Sequence, residues 1–491
     1  MPLLNRRSFL TGAATIPFAL WFDKYASAQV PRVRFDARSA RGQAMLRTYA
    51  SAVRTMQATP EGNPLSWTFQ WYTHFVRGST TKAAEITRLY PTPSPQRTLA
   101  NLNWNTCQAH SGQPEDYFLP WHRMYVFFFE QIIRRVSGDA SFTLPYWNYT
   151  SSGPNYGVIP PEFTRRGDPT FGPLFVSGRN PGVNSGSPIV GAGVLNLNAL
   201  AQCTYGVSGV QPGFNQDLDS GLHGNVHVGV GNRTNMGAVP WAASDPVFWV
   251  HHCMIDRLWA SWNAAGRANP TNATYLNQTF TFADPSGNRV AARIGDFLDI
   301  SRLGYSYDRL EPVPPCPPVR RGPLTLTMSP ISQATSLTLG TAPARATLVL
   351  APTTPSRGGP APARTFAARM AAMDPQRKVF LVLRQLKADQ QPGTLFNVFL
   401  ALPDGLALDQ GQDRWVGTIN FFGAGHGDHT VPGADTGTAE RFVSFDITAL
   451  AAKLRANNLL NTNKLSITIA PVGVPIAEAQ PLVGSISIVE Q

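Results

Sequence analysis

The chain has 491 residues, of which 43% are hydrophobic, 10% aromatic and 14% charged, with a formal net charge of +11. That length suits two or three domains, and the apolar content supplies a sizeable core. The basic excess is not gathered into Lys/Arg clusters with interleaved aromatics, so no nucleic-acid surface is expected.

The first stretch reads as an export signal. Asn5-Arg-Arg-Ser-Phe-Leu10 is a twin-arginine motif, an apolar run follows, and Ala26-Ser-Ala28 is a small-x-small cleavage site. Residues 1–28 are therefore expected to be removed, which places the protein in the periplasm or outside the cell. The apolar run is shorter than the ~20 residues of a membrane span, and no later segment is long and apolar enough to be one. Four cysteines are too few for a disulfide framework. An oxidising compartment allows one bridge, with Cys203–Cys316 the candidate pair, while Cys253 reads as core.

Periodicity predicts helices over 40–57 and 65–77, the second placing His74 among buried aromatics. Residues 81–118, with prolines at 91, 93, 95 and 114, read as irregular and put His110 on a loop. Pro120 suits the first turn of a helix running to about Val136, with His122 in that turn. Residues 150–215 read as long loops, and helices resume near 217–229 and 246–263. The Pro-rich stretch 312–323 reads as a stiff linker. Beyond it, β-type runs such as KVFLVLRQL, LFNVFLAL and KLSITIAPV predict a β-sandwich over 324–491. The expected architecture is thus a mainly α domain over 29–311, a four-helix bundle with long loops, followed by that β-sandwich.

The chemistry is concentrated in histidine. Of nine histidines, seven fall between His74 and His252, and the remaining two are His426 and His429, which read as surface-loop residues. In His223-Gly-Asn-Val-His227 the four-residue step sets both imidazoles on one helix face. His251 and His252 follow in DPVFWVHHCMID. Three plus three histidines suggest a pair of metals. A donor set of neutral imidazoles, without carboxylate or thiolate, tolerates Cu(I) but does not by itself exclude zinc. HGNVH lacks the glutamate base of an HExxH zinc hydrolase.

The runs DPVFWVHHCMIDRLW, HGNVH and FLPWHRMYVFFFE resemble the two copper-binding signatures of the tyrosinase, catechol oxidase and haemocyanin family. The resemblance spans about residues 45–310, and Gly304-Tyr-Ser-Tyr307 resembles the tyrosine motif that closes the family's catalytic domain. It implies two copper ions, one held by His74, His110 and His122, the other by His223, His227 and His252. His251 would stand behind the ligands, and Arg123 and Asp256 would form a buried pair joining the two halves. The step from His110 to His122 is longer than the family's usual one. Cys107, just before, is similar to a cysteine that in many relatives is bonded as a thioether to a histidine of the first site.

The implied reaction is oxidation of small phenols by O2, with ortho-hydroxylation of monophenols and oxidation of o-diphenols to o-quinones. A catechol oxidase acting on diphenols alone and a haemocyanin-like oxygen carrier are the alternatives. Val239 stands where plant catechol oxidases often have a phenylalanine over one copper, and its small side chain favours monophenols. Gly224 stands where several tyrosinases have Asn, and Asp219 where plant relatives have an acidic residue that orients a water; Val228 is expected in the pocket wall. The C-terminal part resembles the shielding domain of latent polyphenol oxidases, the likeness lying in 441–447 and the helix after it. A copper chaperone is a conceivable partner, and the sequence does not specify an oligomeric state.

Overall fold

A computed structural model describes residues 32–108, 116–316, 329–334, 336–350, 364–374, 376–424 and 442–491, together with a two-residue strand at Ile16–Pro17. His110, His426, His429, the twin-arginine motif and part of the 312–323 linker lie outside the described residues.

The helical domain is built around α3 (Phe118–Ser137), which packs between α1 (Ala40–Ala58) and α5 (Val247–Ala264). Ser39 caps α1 by accepting from the Gly42 N–H, and Gly138, at φ 73°, ends α3 in the left-handed conformation. Aromatic rings fill the space between the helices: Phe129 of α3 stacks on Trp249 of α5 and meets Tyr49 of α1 edge-on. Two shorter helices complete the bundle. They are α2 (Trp67–His74), capped by Ser66, and α4 (Gly224–Val230), which follows a π-helical turn at Leu218–His223.

The stretch expected to be irregular contains two helices, Lys82–Leu89 and Pro95–Asn103. Its prolines mark their boundaries. Pro91 and Pro93 lie between the helices, while Pro95 occupies the first turn of the second, where its missing N–H costs nothing, behind a Ser94 cap. A hairpin of β2 (Thr279–Ala283) and β3 (Arg289–Arg293), not anticipated, packs beside α3.

The two ends of the domain are tied together through Asp256. Strand β1 (Arg32–Arg34) pairs in parallel with β4 (Tyr305–Tyr307). Asp256 of α5 pairs with Arg123 of α3, as the sequence suggested, and also with Arg34 at 3.0 Å and the hydroxyls of Tyr305 and Tyr307. Arg34 reaches on to Glu130 at 2.9 Å. All four charged groups are almost completely buried, so each compensates the desolvation of its neighbours.

Seven of the described C-terminal strands fall on the predicted β-type runs: β7 (Ala344–Leu350), β8 (Val379–Lys387), β9 (Phe396–Leu400), β10 (Trp415–Ile419), β11 (Phe442–Asp446), β12 (Lys464–Pro471) and β13 (Leu482–Glu490); β5 (Ser329–Ala334) and β6 (Leu337–Thr338) were not anticipated. The expected sandwich is met in its strands but not in their partition. They form one antiparallel path, β10-β9-β12-β7-β5-β13-β8-β11, with β6 on β13.

This domain sits on the helical one. Val210 is buried with Phe380, Val382 and Val489, the Gln491 side chain bonds both Val210 N–H and Ser208 C=O, and Gln216 donates to the Phe442 carbonyl. A disulfide joins Cys203 to Cys316, so the chain stays fastened to the helical domain up to that point.

Candidate metal centre

Each helix of the bundle except α1 brings a histidine to one buried space. His74 is the last residue of α2, and its Nδ1 lies 3.1 Å from the Val239 carbonyl. His122, one turn into α3, has Nδ1 2.8 Å from the Phe118 carbonyl. His227 of α4 is held by Met236 C=O at 2.7 Å. His223, at the end of the π turn, lies 3.2 Å from Asp219 C=O and 3.0 Å from the Asp219 carboxylate. With Nδ1 turned to an acceptor, each ring presents Nε2 as its ligating nitrogen.

Two groups result. The ligating atoms of His74, Cys107 and His122 lie within 4.8 Å of one another, as do those of His223, His227, His251 and His252. The groups face each other: the His122 and His252 rings stack at 4.3 Å, only 8° from parallel. Phe118 touches both groups, 4.7 Å from His122 and from His223, and Phe248 likewise lies 5.0 Å from His74 and 4.2 Å from His252. These two phenylalanines were not singled out from sequence, although each stands inside a quoted signature.

Of the adjacent pair, His252 is the residue that faces the first group. His251 instead lies nearly parallel to His223 at 5.4 Å, with Tyr149 also 5.4 Å away. Burial pushes the pKa of both well below the ordinary histidine value, with neighbouring imidazoles acting in the same direction, so both rings are neutral and able to ligate. Neither nitrogen of either ring hydrogen-bonds a described residue, although both side chains are buried. Buried polar atoms in that condition are costly unless a ligand satisfies them. The residues present therefore fit a pair of metal ions, and their nitrogen donors suit copper.

The other expected site residues are distributed around this centre. Cys107 Sγ lies 3.6 Å from His122 Nε2. Val239 is fully buried, and its carbonyl holds His74. Val228 is buried in α4. Asp219 is buried against His223.

Gly224 has a neighbour that the sequence did not reveal. A Cβ there would lie 2.4 Å from Oδ1 of Asn420, which belongs to the C-terminal domain. Asn420 is fully buried, donates to Ser220 C=O at 2.8 Å and to Asn225 Oδ1 at 2.9 Å, and accepts from the Phe422 N–H. Phe422 in turn lies on His227 and meets His223 edge-on. The only sequence signal was that Asn420-Phe-Phe-Gly423 ends a β-type run with a turn residue.

Facing groups of buried imidazoles on a helical bundle define a protein built to hold a pair of metal ions. The common central domain of tyrosinase matches residues 64–176 and 194–265, the polyphenol oxidase middle domain matches 269–315, and a domain of unknown function matches 331–491. A tyrosinase of Hahella sp. (strain CCB-MM4) is 30% identical over 90% of this chain and 95% of its own length. Aureusidin synthase of Antirrhinum majus is 28% identical over 55% of this chain, which spans half the length of that plant enzyme. Among solved structures, latent apple tyrosinase shares the fold over 94% of this chain and 97% of its own, with TM-score 0.59 at 19% identity. A functional unit of octopus haemocyanin shares it over 93% and 99%, with TM-score 0.53 at 16% identity. The chain belongs to the tyrosinase family, dicopper oxidoreductases that act on phenols.

Proposed function

We propose that this protein is an exported tyrosinase that hydroxylates monophenols and oxidises o-diphenols, and that its own C-terminal domain covers the copper centre until it is displaced. The observation that carries this reading is the pair of facing histidine groups with Phe422 lying across the second. When bound, the two coppers would supply the electrons and the Lewis acidity that phenol oxidation by O2 requires.

The chain's own residues do the rest. His74 and His122, with His110, would hold one ion, and His223, His227 and His252 the other. Phe118 and Phe248 keep water from the space between the groups and hold the rings in place. Phe422 fills the approach over His227, where a planar phenol would lie. The small side chain of Val239 supports admission of monophenols, whereas Gly224 supplies no amide from α4, which favours the diphenol-only alternative. Oxygen uptake by the full chain and by Phe422→Ala, with tyrosine and with catechol, tests the reading. Uptake with catechol alone would reduce the activity to that of a catechol oxidase, and reversible O2 binding without turnover would favour a haemocyanin-like carrier.

Two further features belong to this proposal. The Cys203–Cys316 bridge suits an oxidising compartment, in keeping with twin-arginine export to the periplasm or beyond. Replacing Arg6 and Arg7 by Lys should leave the protein in the cytoplasm. Cys107 would form a thioether with a histidine of the first site, a reading supported by its Sγ lying 3.6 Å from His122 Nε2. Joining S–H and ring C–H into an S–C bond releases two protons and two electrons, for which O2 is the acceptor; intact mass would show the loss of two hydrogens.

A further inference from the structure

Three of the histidine Nδ1 atoms in the centre rest on neutral backbone carbonyls: Val239 for His74, Phe118 for His122 and Met236 for His227. His223 differs, because an Asp219 carboxylate oxygen lies 3.0 Å from its Nδ1, beside the Asp219 carbonyl at 3.2 Å. That carboxylate is 6% exposed, so solvent does little to weaken the pairing. Both residues lie on the π-helical turn Leu218–His223, a rare backbone form that collects at functional sites.

A carboxylate on the far nitrogen draws the Nδ1 proton outward, makes the near nitrogen a stronger donor and fixes the ring. It also brings negative charge to the His223 side of the centre. Beside His122, on the other side, stands the sulfur of Cys107. We infer that Asp219 is a positioning residue that anchors His223, strengthens copper binding at the second site and favours Cu(II) there. This rests on the dicopper reading and adds to it a role for Asp219 at one of the two ions.

The test uses the full chain loaded with two coppers and dialysed against graded concentrations of a Cu(II) chelator. Asp219→Asn keeps the shape and an acceptor oxygen but removes the charge. It should release one copper at a chelator activity roughly 10- to 100-fold lower than the parent requires. The remaining lone Cu(II) should give an electron paramagnetic resonance signal that a coupled Cu(II) pair lacks. Asp217→Asn neutralises a carboxylate two residues earlier, bonded by Gln202 at 2.8 Å, and should hold both ions as the parent does.

The inference is overturned if Asp219→Asn holds both coppers like the parent, or loses them in step, whatever its turnover. A lower Tm of the copper-free variant with the order of copper release unchanged would also overturn it, since that is the mark of a purely structural role. If Asp219→Asn does not fold, Asp219→Ser, which also removes the charge, is read by the same criteria. A parent chain that takes up no copper would remove the dicopper reading itself, and this inference with it.

Discussion

The ring of Phe422 lies on the imidazole of His227 with centroids 4.0 Å apart and planes 13° from parallel. One ring belongs to the C-terminal domain and the other to the metal centre, so the stack ties coverage of the site to domain docking. An aromatic stack of this kind contributes about 0.5–1.5 kcal/mol. Phe422→Ala should therefore raise catechol oxidation by the uncut chain roughly 2- to 12-fold through easier access. Oxygen uptake measures this, and a parental rate would show that Phe422 does not control entry.

Gly224 makes a second prediction about the same docking. Its added Cβ would lie 2.4 Å from Asn420 Oδ1, on a fully buried side chain held by hydrogen bonds on three sides. Gly224→Ala must displace Asn420 and leave buried polar groups unsatisfied, a cost of about 1–3 kcal/mol. The uncut variant should be more active than the parent and more readily cleaved by protease after Cys316. After cleavage and removal of the C-terminal part, parent and variant should converge in rate; a persistent difference would place the effect within the catalytic pocket itself.

These two contacts also show where sequence reading stopped. The histidine spacing and the helix periods exposed the metal centre because each rests on a local repeat: His223 and His227 are one turn apart, and His252 lies on α5 one turn before Asp256. The Arg123–Asp256 pair was legible because both residues stand in recognisable signatures. Arg34 completes the same cluster from β1 but carries no local mark of it, since its partners are 96 and 222 residues away. Asn420 and Phe422 were invisible for the same reason. The helices Lys82–Leu89 and Pro95–Asn103 are hidden by the prolines at 91, 93 and 95, which read as breakers, although Pro95 is tolerated in a first turn just as Pro120 is.

The Asp256 cluster predicts a stability effect separate from access. Burial opposes charge on Asp256, but Arg123 and Arg34 outweigh it and hold the carboxyl below its usual range. Asp256→Ala would leave both guanidinium groups buried without this anion and should cost about 3–5 kcal/mol. The urea midpoint of the copper-free chain reads this directly. Because the folded pKa is depressed, the stabilisation is present above the unfolded carboxyl value near 4 and is lost as pH falls through the folded one. The gap between parent and Asp256→Ala should therefore shrink on acidification.

Asp217 gives the opposite sign. Burial raises its pKa from 3.8 to about 6, with Gln202 only partly offsetting the shift. A carboxyl whose folded pKa is raised binds its proton more firmly in the native chain, so stability falls as pH climbs from about 4 to 6 and stays lower above that. Asp217→Asn mimics the protonated form and should be more stable than the parent at pH 7, by on the order of 1–2 kcal/mol given partial exposure. The two should converge near pH 4. Thermal unfolding of copper-free parent and variant across that range tests the sign, and a variant less stable than the parent at pH 7 would mean that the Asp217 charge is stabilised by a partner stronger than Gln202.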